Sequence, residues 1–162
     1  MLMNIETVVT LFLIFGFNAT AGTDCLNNWT AHGNSCYLFG HQSLPFYTAE
    51  HYCRQHNGHL VHINGKEENV FIREHLRYMK GIRWWIGLTD DDVEGTWMWY
   101  DTNEEAMYTD WTPGQPTNSG NNEDCVEFDM TAGYDGHWND APCDMHLLPI
   151  CERSSGNIDI VG

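Results

Sequence analysis

Basic residues are scarce in this chain, where 7 Lys and Arg stand against 23 Asp and Glu and the formal net charge is −16. An acidic surface repels the phosphates of nucleic acids and the headgroups of anionic membranes, so we expect no nucleic acid partner. Beyond the N-terminal segment no apolar run is long enough to cross a bilayer, and we expect no membrane insertion. An acidic excess can serve solubility or hold a cation, and the positions of the acids decide between these uses.

Several motifs of enzymes and metal proteins are also missing. The chain has no Cys-x-x-Cys pair, no His-Glu-x-x-His motif and no EF-hand loop, which argues against structural zinc, a zinc hydrolase and a contiguous calcium loop. A Gly-x-Ser-x-Gly nucleophile motif is absent too, and we expect no enzymatic activity. We interpret the nearby histidines as solvated or core-edge residues rather than zinc ligands: His51, His56, His59 and His62.

The N-terminus has the features of a secretory signal peptide. Val8 to Phe17 is a short apolar run, and the small-x-small pattern Ala19-Thr20-Ala21 follows it. The residues before the run lack Lys and Arg and include Glu6, which departs from the usual basic start. We predict a signal peptide at 1–21, a secreted domain at 22–153 and a C-terminal tail at 154–162.

Six cysteines follow this segment: Cys25, Cys36, Cys53, Cys125, Cys143 and Cys151. In an oxidising compartment an even number indicates a disulfide framework, although spacing alone does not choose among the possible pairings. Asn28-Trp29-Thr30 is an acceptor sequence for N-glycosylation, which predicts a secreted glycoprotein.

Hydrophobic periodicity divides the chain into early helices and later strands. Helices are predicted at Phe46–Asn57 and at about Gly65–Met79, the second with a face formed by Val70, Phe71, Glu74, His75 and Tyr78. Strands are predicted at residues 34–39, 59–63, 84–88, 96–100, 125–128, 137–139 and 148–152. A long polar segment lies between Asp101 and Asp124. This order indicates an α+β domain with one functional loop.

Oxygen-bearing side chains are concentrated in two stretches of this later part. One stretch holds Gln115, Thr117, Asn118, Asn121, Asn122, Glu123 and Asp124, and the other holds Asn139 and Asp140. Calcium takes six to eight oxygen ligands of these kinds, so the two stretches could hold Ca²⁺ between them. The alternative is that Asn, Asp and Gly simply form turns here.

The ordered motifs of the chain resemble a C-type lectin domain of the long form over residues 25–153. The first helix carries Phe46-x-x-Ala49-x-x-x-Cys53, and Trp85-Ile86-Gly87-Leu88 is similar to the central strand of that family. The later motifs, in order, are Trp97-x-Trp99, Trp111-x-x-Gly114-x-Pro116, Glu123-Asp124-Cys125-Val126 and Trp138-Asn139-Asp140. A lone Trp-Asn-Asp is a weak match, whereas the whole series at compatible spacing is specific.

The resemblance implies a C-type lectin fold of two helices and small antiparallel sheets with a long calcium-binding loop. It also implies three disulfides, Cys25–Cys36, Cys53–Cys151 and Cys125–Cys143. No cysteine then remains for a covalent dimer.

The resemblance further implies a calcium site that binds sugar directly. Its ligands would be Gln115, Thr117, Glu123, Asn139 and Asp140, the last also through its carbonyl, with Pro116 in the cis form. Two neighbouring sugar hydroxyls would complete the coordination of the ion. A second calcium would be held by Asp90, Glu94, Asn118 and Asp124, although Asn118 stands where the family usually has Asp.

Thr117 is the main departure from the family pattern. Sugar-binding members usually have Glu-Pro-Asn for mannose-type sugars or Gln-Pro-Asp for galactose-type sugars, and this chain has Gln115-Pro116-Thr117. Gln115 favours galactose or its N-acetylated relative, while Thr117 removes a carboxylate. Because calcium affinity depends on ligand charge, this site should bind Ca²⁺ more weakly than a typical one.

The resemblance therefore implies a secreted, calcium-dependent lectin that recognises glycans on microbial or other cells, with a role in innate immunity. A single weak site gains from multivalency, so we expect a non-covalent homo-oligomer. The alternative is a domain of the same fold that has lost sugar binding and recognises protein or mineral surfaces.

Overall fold

The computed structural model describes residues 25–156, so the predicted signal peptide lies outside the described residues. Within that range no helix combines the length and apolar character needed to span a membrane. The helices are α1 (Phe46–Gln55) and α2 (Lys66–Leu76), and a short 3-10 turn spans Ser119–Asn121. The strands are β1 (Thr30–His32), β2 (Ser35–Phe39), β3 (His59–Leu60), β4 (Arg83–Thr89), β5 (Met98–Trp99), β6 (Glu104–Glu105), β7 (Cys125–Asp129), β8 (His137–Ala141) and β9 (Leu148–Ser154).

Both predicted helices are present, and α1 buries the face that its spacing predicts. Phe46, Ala49 and Cys53 are fully buried, at positions i, i+3 and i+7. Glu50 is also buried on α1, because its carboxylate accepts the Leu60 amide at 2.7 Å and thereby links α1 to β3.

The buried face of α2 is not the mixed face that the sequence analysis singled out. Its buried residues are Asn69, Ile72 and Leu76, while Val70 is 39% exposed. Asn69 can be buried because its amide group is fully used: its nitrogen donates to Asp110 at 2.6 Å and its oxygen accepts the indole N–H of Trp138 at 2.9 Å. A polar residue therefore occupies a core position that hydrophobic periodicity does not detect.

Strand β9 joins the parts of the sheet. It pairs antiparallel with β2 and β3 and parallel with β4, where Trp84 lies opposite Leu148. Strand β4 also pairs with β5 and β7, and β7 continues the antiparallel ladder to β8. The α+β class is confirmed, and the parallel β4–β9 pair is a departure from the predicted antiparallel sheets. Strand β9 ends at Ser154, and the Ser155 amide donates a hydrogen bond to the Asn34 carbonyl. Regular structure therefore continues past residue 153.

Strand β4 separates two hydrophobic clusters. Because its successive side chains point to opposite faces, it contributes residues to both clusters. Trp84, Ile86 and Leu88 pack into one cluster, and Trp85 packs into the other beside the Cys53–Cys151 bridge. Gly87 is required between them because a Cβ there would lie 2.7 Å from the Leu60 carbonyl oxygen. The Gly87 amide donates to the Val61 carbonyl at 2.9 Å, so the close approach also forms a hydrogen bond.

The three disulfides implied by the resemblance are all present, and the described residues include no free cysteine. Cys53–Cys151 closes 98 residues and ties α1 to β9. Cys125–Cys143 closes 18 residues and ties the start of β7 to the segment that follows β8. The end of the first oxygen-rich stretch, just before β7, is thereby held near the second stretch on β8.

Replacing both Cys53 and Cys151 with alanine should destabilise the fold more than replacing both Cys25 and Cys36. The bridges span 98 and 11 residues, and the chain-entropy relation gives losses of about 5 and about 3 kcal/mol. Urea unfolding of the two double variants in chelator measures this difference. Equal losses of unfolding free energy would contradict the entropic account.

Candidate functional site

The Asp140 carboxylate of β8 holds the part of the long loop that carries the predicted ligands. The Asp140 side chain is fully buried, and its Oδ2 accepts the backbone amides of Thr117 at 2.8 Å and of Asn118 at 2.6 Å. The β7–β8 pairing places Asp140 opposite Val126 and Asn139 opposite Glu127. The hydrogen-bonded sheet thus fixes one side of the site, and Asp140 draws the loop onto it.

Glu123 organises the loop from its other end. Its Oε2 accepts the Thr117 hydroxyl at 3.1 Å and the Ser119 amide at 2.6 Å. The Glu123 amide in turn donates to the Asn118 side-chain oxygen at 3.2 Å. Thr117 therefore contacts both carboxylates of the predicted site, Asp140 through its backbone and Glu123 through its hydroxyl.

Two buried oxygens of the site accept no hydrogen bond, and their surroundings indicate whether a cation fits there. They are Oε1 of Gln115 and Oδ1 of Asp140. A buried acceptor without a partner is costly, because it loses its bonds to water and gains nothing in return. A hard cation satisfies such oxygens, and two carboxylates, two amides and a hydroxyl are ligands of the kind Ca²⁺ takes. The Gln115–Pro116 peptide is cis, as the resemblance implies.

The residues of the predicted second calcium site lie where β4 ends. Asp90 is buried; its Oδ2 accepts the Gly95 amide at 2.7 Å, and its Oδ1 has no donor. Burial raises the pKa of Asp90, and the negative charges of Glu94 and Asp124 raise it further. A cation would relieve this repulsion, so the carboxylates fit one.

Asn118 connects the two predicted calcium sites. Its side-chain nitrogen donates to Glu94, and its oxygen accepts the Glu123 amide. The side-chain amide thus links the Glu94 carboxylate to the backbone of Glu123 without adding charge, whereas an Asp there would repel Glu94. Asn118 therefore forms a hydrogen bond with Glu94 where the Asp expected from the resemblance would add a negative charge.

Glu127 is a residue of the site that the sequence reasoning missed. It is fully buried on β7, where it accepts the Asn139 side-chain nitrogen at 2.8 Å and pairs with Arg83. Burial raises the pKa of Glu127, although Arg83 and Asn139 favour its charged form. The Asn139 nitrogen also donates to the Asp140 carbonyl at 2.6 Å. With its nitrogen so engaged, Asn139 has its oxygen left for an ion.

The strand pattern contains only part of the information that identifies Glu127. In the predicted strand 125–128, it lies two residues beyond Cys125 and thus on the same face of the strand. Its opposite partner is Asn139, itself a predicted ligand. The sequence thus indicates that a charged residue on this face needs a partner, and the pairing of β7 with β8 identifies that partner as Asn139.

Glu127→Ala should weaken Ca²⁺ binding by about 10- to 100-fold, because residues that orient a ligand typically contribute that much to metal affinity. Isothermal titration with calcium measures the effect. Asp129→Ala is the matched control, since Asp129 lies on the same face of β7 and near Arg83 but has no contact with Asn139 in the described structure. Unchanged calcium affinity in Glu127→Ala would show that Glu127 does not position Asn139.

Comparisons with known proteins agree with this geometry. Residues 42–153 match the sequence profile of the family described as "Lectin C-type domain". Human asialoglycoprotein receptor 2 is 40% identical over 142 residues, which cover 84% of this chain and 43% of the receptor. The chain therefore spans less than half the length of this curated relative.

Solved structures confirm the predicted C-type lectin fold, and they include proteins that are described in different functional terms. The carbohydrate-recognition domain of the mouse scavenger receptor C-type lectin has a TM-score of 0.74 and 35% identity, covering 82% of this chain and 100% of that domain. A calcium-independent type II antifreeze protein has a TM-score of 0.71 and 31% identity, covering 82% of this chain and 96% of that protein. The fold alone therefore does not decide the ligand.

Proposed function

We propose that this chain, which belongs to the C-type lectin domain family, is a calcium-dependent carbohydrate-binding protein. The pair of buried oxygens without donors, Gln115 Oε1 and Asp140 Oδ1, is the observation that carries this proposal. Both belong to residues of the predicted sugar site, and a neutral ligand without a cation would leave at least Asp140 with an uncompensated charge. The neighbouring Glu123 carboxylate supplies a second negative charge for the ion.

The chemistry of the site follows from its polar groups. When bound, Ca²⁺ would supply open coordination positions that neighbouring hydroxyls of a sugar ring can fill. The chain's own groups would orient those hydroxyls: carboxylate oxygens accept hydrogen bonds from them, and side-chain amide nitrogens donate to them. The hydrogen bond to Glu127 fixes Asn139 so that its side-chain oxygen faces the ion before binding, which reduces the entropy lost on binding.

Galactose or N-acetylgalactosamine is the sugar class that we propose. Gln115 before the cis proline supports this choice through the family pattern, and the related human receptor is named for asialoglycoproteins. Thr117 brings no charge, so the predicted ligand side chains carry two negative charges, from Glu123 and Asp140. Its hydroxyl donates to Glu123, which supports a place for Thr117 beside the proposed ligands.

We extend the proposal to the biological setting of the chain. We propose a secreted glycoprotein, because Asn28 of the acceptor sequence is exposed in a turn. We also propose a non-covalent homo-oligomer that binds glycans on microbial or other cells in innate immunity, because several weak sites in one assembly bind far more tightly than one. All described cysteines are paired within the chain, so such an oligomer would not be covalent.

The second candidate function is recognition of a protein or mineral surface without sugar. The internal hydrogen bond between Thr117 and Glu123 favours it, because a loop that satisfies its own polar groups has less need of an ion. The calcium-independent antifreeze protein shows that a related chain of this fold is described without calcium. The two candidates differ in what calcium removal does to sugar binding.

Retention on galactose-coated beads in Ca²⁺ and release by chelator is the expected result for the native chain, with weaker retention on mannose-coated beads. Asp140→Asn should abolish retention because it removes half of the site's charge. The matched control is Glu104→Gln, which neutralises an exposed carboxylate on β6, outside the site. Retention that is indifferent to chelator would contradict the calcium-bridged mechanism, and calcium binding without retention on any sugar would favour the second candidate.

Thr117→Asp should tighten Ca²⁺ binding by about an order of magnitude, because it restores a third carboxylate to the ligand set. Calcium titration by calorimetry measures the change. Thr102→Asp adds the same charge at an exposed turn after β5 and is the matched control for long-range electrostatics. If both variants gained calcium affinity equally, the effect would come from net charge, and Thr117 would not occupy a ligand position.

A further inference from the structure

A cluster of two histidines and one carboxylate lies apart from the calcium loops. His59 begins β3, His62 follows that strand, and Asp101 lies just beyond β5. Their side chains are 25%, 12% and 10% exposed, respectively. Each presents a metal-ligating atom, and these three atoms all lie within 4.8 Å of one another. The sequence interpretation of these histidines as solvated or core-edge residues did not foresee this arrangement.

We propose that His59, His62 and Asp101 form a binding site for a divalent transition metal, with Zn²⁺ as the preferred ion. Two imidazoles and one carboxylate are the ligand types that Zn²⁺ takes, whereas calcium prefers oxygen alone. Three protein ligands leave a coordination position for water. Asp101 lines a cavity of about 380 Å³ together with Arg54 and Tyr100, and His59 lines a second cavity with Arg54, so the cluster is open to solvent from two sides.

The surrounding structure holds these side chains in place. The His62 ring stacks on the buried Trp99 ring at 4.7 Å, and the His59 ring lies 4.4 Å from the His62 ring. The His62 backbone amide donates to Glu152 at 3.1 Å, and β3 pairs with β9 at His59. Packing and backbone contacts therefore keep the ligands close together before any ion binds, which lowers the cost of binding.

Small movements convert the cluster into a metal site. His62 Nε2 is in direct contact with Asp101 Oδ1, and His59 Nδ1 lies 3.9 Å from Asp101 Oδ2. Ligands around a tetrahedral zinc lie roughly 3.3 Å apart, given bonds of about 2.0 Å. The His62–Asp101 contact must lengthen, and His59 must exchange its 2.9 Å contact with the Leu60 carbonyl for the ion.

The competing arrangement is a purely structural ion pair. Burial opposes ionisation of Asp101, but contacts with His62, His59 and Arg54 outweigh it and hold the pKa of Asp101 below its usual range. Arg54 is 3.9 Å from Asp101, is 54% exposed and pairs more closely with Glu50 at 2.6 Å. An exposed guanidinium at that distance can withdraw when a dication binds, so Arg54 competes with the metal without blocking it.

Zinc titration of the mature chain, without an affinity tag and in excess Ca²⁺, tests the proposal. Excess calcium occupies oxygen-rich sites, so the result does not depend on the proposed lectin function. We expect one equivalent of Zn²⁺ to bind by calorimetry. We also expect Co²⁺ to give the visible absorption of a low-coordinate site at the same stoichiometry. His62→Gln and Asp101→Asn should each weaken zinc binding at least about 100-fold, beyond the range for residues that only orient ligands.

His51→Gln is the matched control, because His51 is an exposed histidine on α1 that contacts Gln55 outside the cluster. It should bind zinc as the native chain does, and Arg54→Ala should bind more tightly because a competing cation is gone. Zinc should also raise the melting temperature of His51→Gln but not of His62→Gln. If a cluster variant fails to fold, His59→Gln replaces it. No stoichiometric zinc binding by the native chain, or equal binding by the control and cluster variants, would overturn the proposal.

Discussion

The buried carboxylate of Asp140 joins the ligand loop to the sheet. One of its oxygens accepts two loop amides, and the other has no donor. Its burial is possible because β8 pairs with β7, and because the Cys125–Cys143 bridge ties the segment after β8 to the start of β7. A charge in such a position requires compensation, which two amide dipoles supply only in part. We therefore propose that calcium supplies the remaining positive charge, and that sugar binds through the open coordination positions of this ion.

Support for the site extends away from the loop through neighbouring side chains. Glu127 holds Asn139, and Arg83 from β4 holds Glu127. Strand β4 is fixed by Trp84 and Trp85, whose rings pack into opposite hydrophobic clusters. The polar segment is therefore attached, through these contacts, to the buried centre of the domain. This arrangement explains how an irregular loop can present ligands with defined geometry.

The sequence predicted most of this fold because the relevant residues carry local patterns. Trp85-Ile86-Gly87-Leu88 marks the central strand, and the α1 spacing marks a helix face. The buried face of α2 was not identified, because Asn69 is a core residue only through partners 41 and 69 positions away. Glu127 and the His59–His62–Asp101 cluster were missed for the same reason: their roles come from strand register and tertiary approach, which periodicity does not encode.

A crystal structure of the chain grown with Ca²⁺ and galactose is the most direct test of the central claim. The account predicts an ion in contact with Asp140 Oδ1 and Gln115 Oε1, with two neighbouring sugar hydroxyls in its coordination sphere. A sugar bound away from the ion, or an ion that leaves both of these oxygens without a partner, would contradict it.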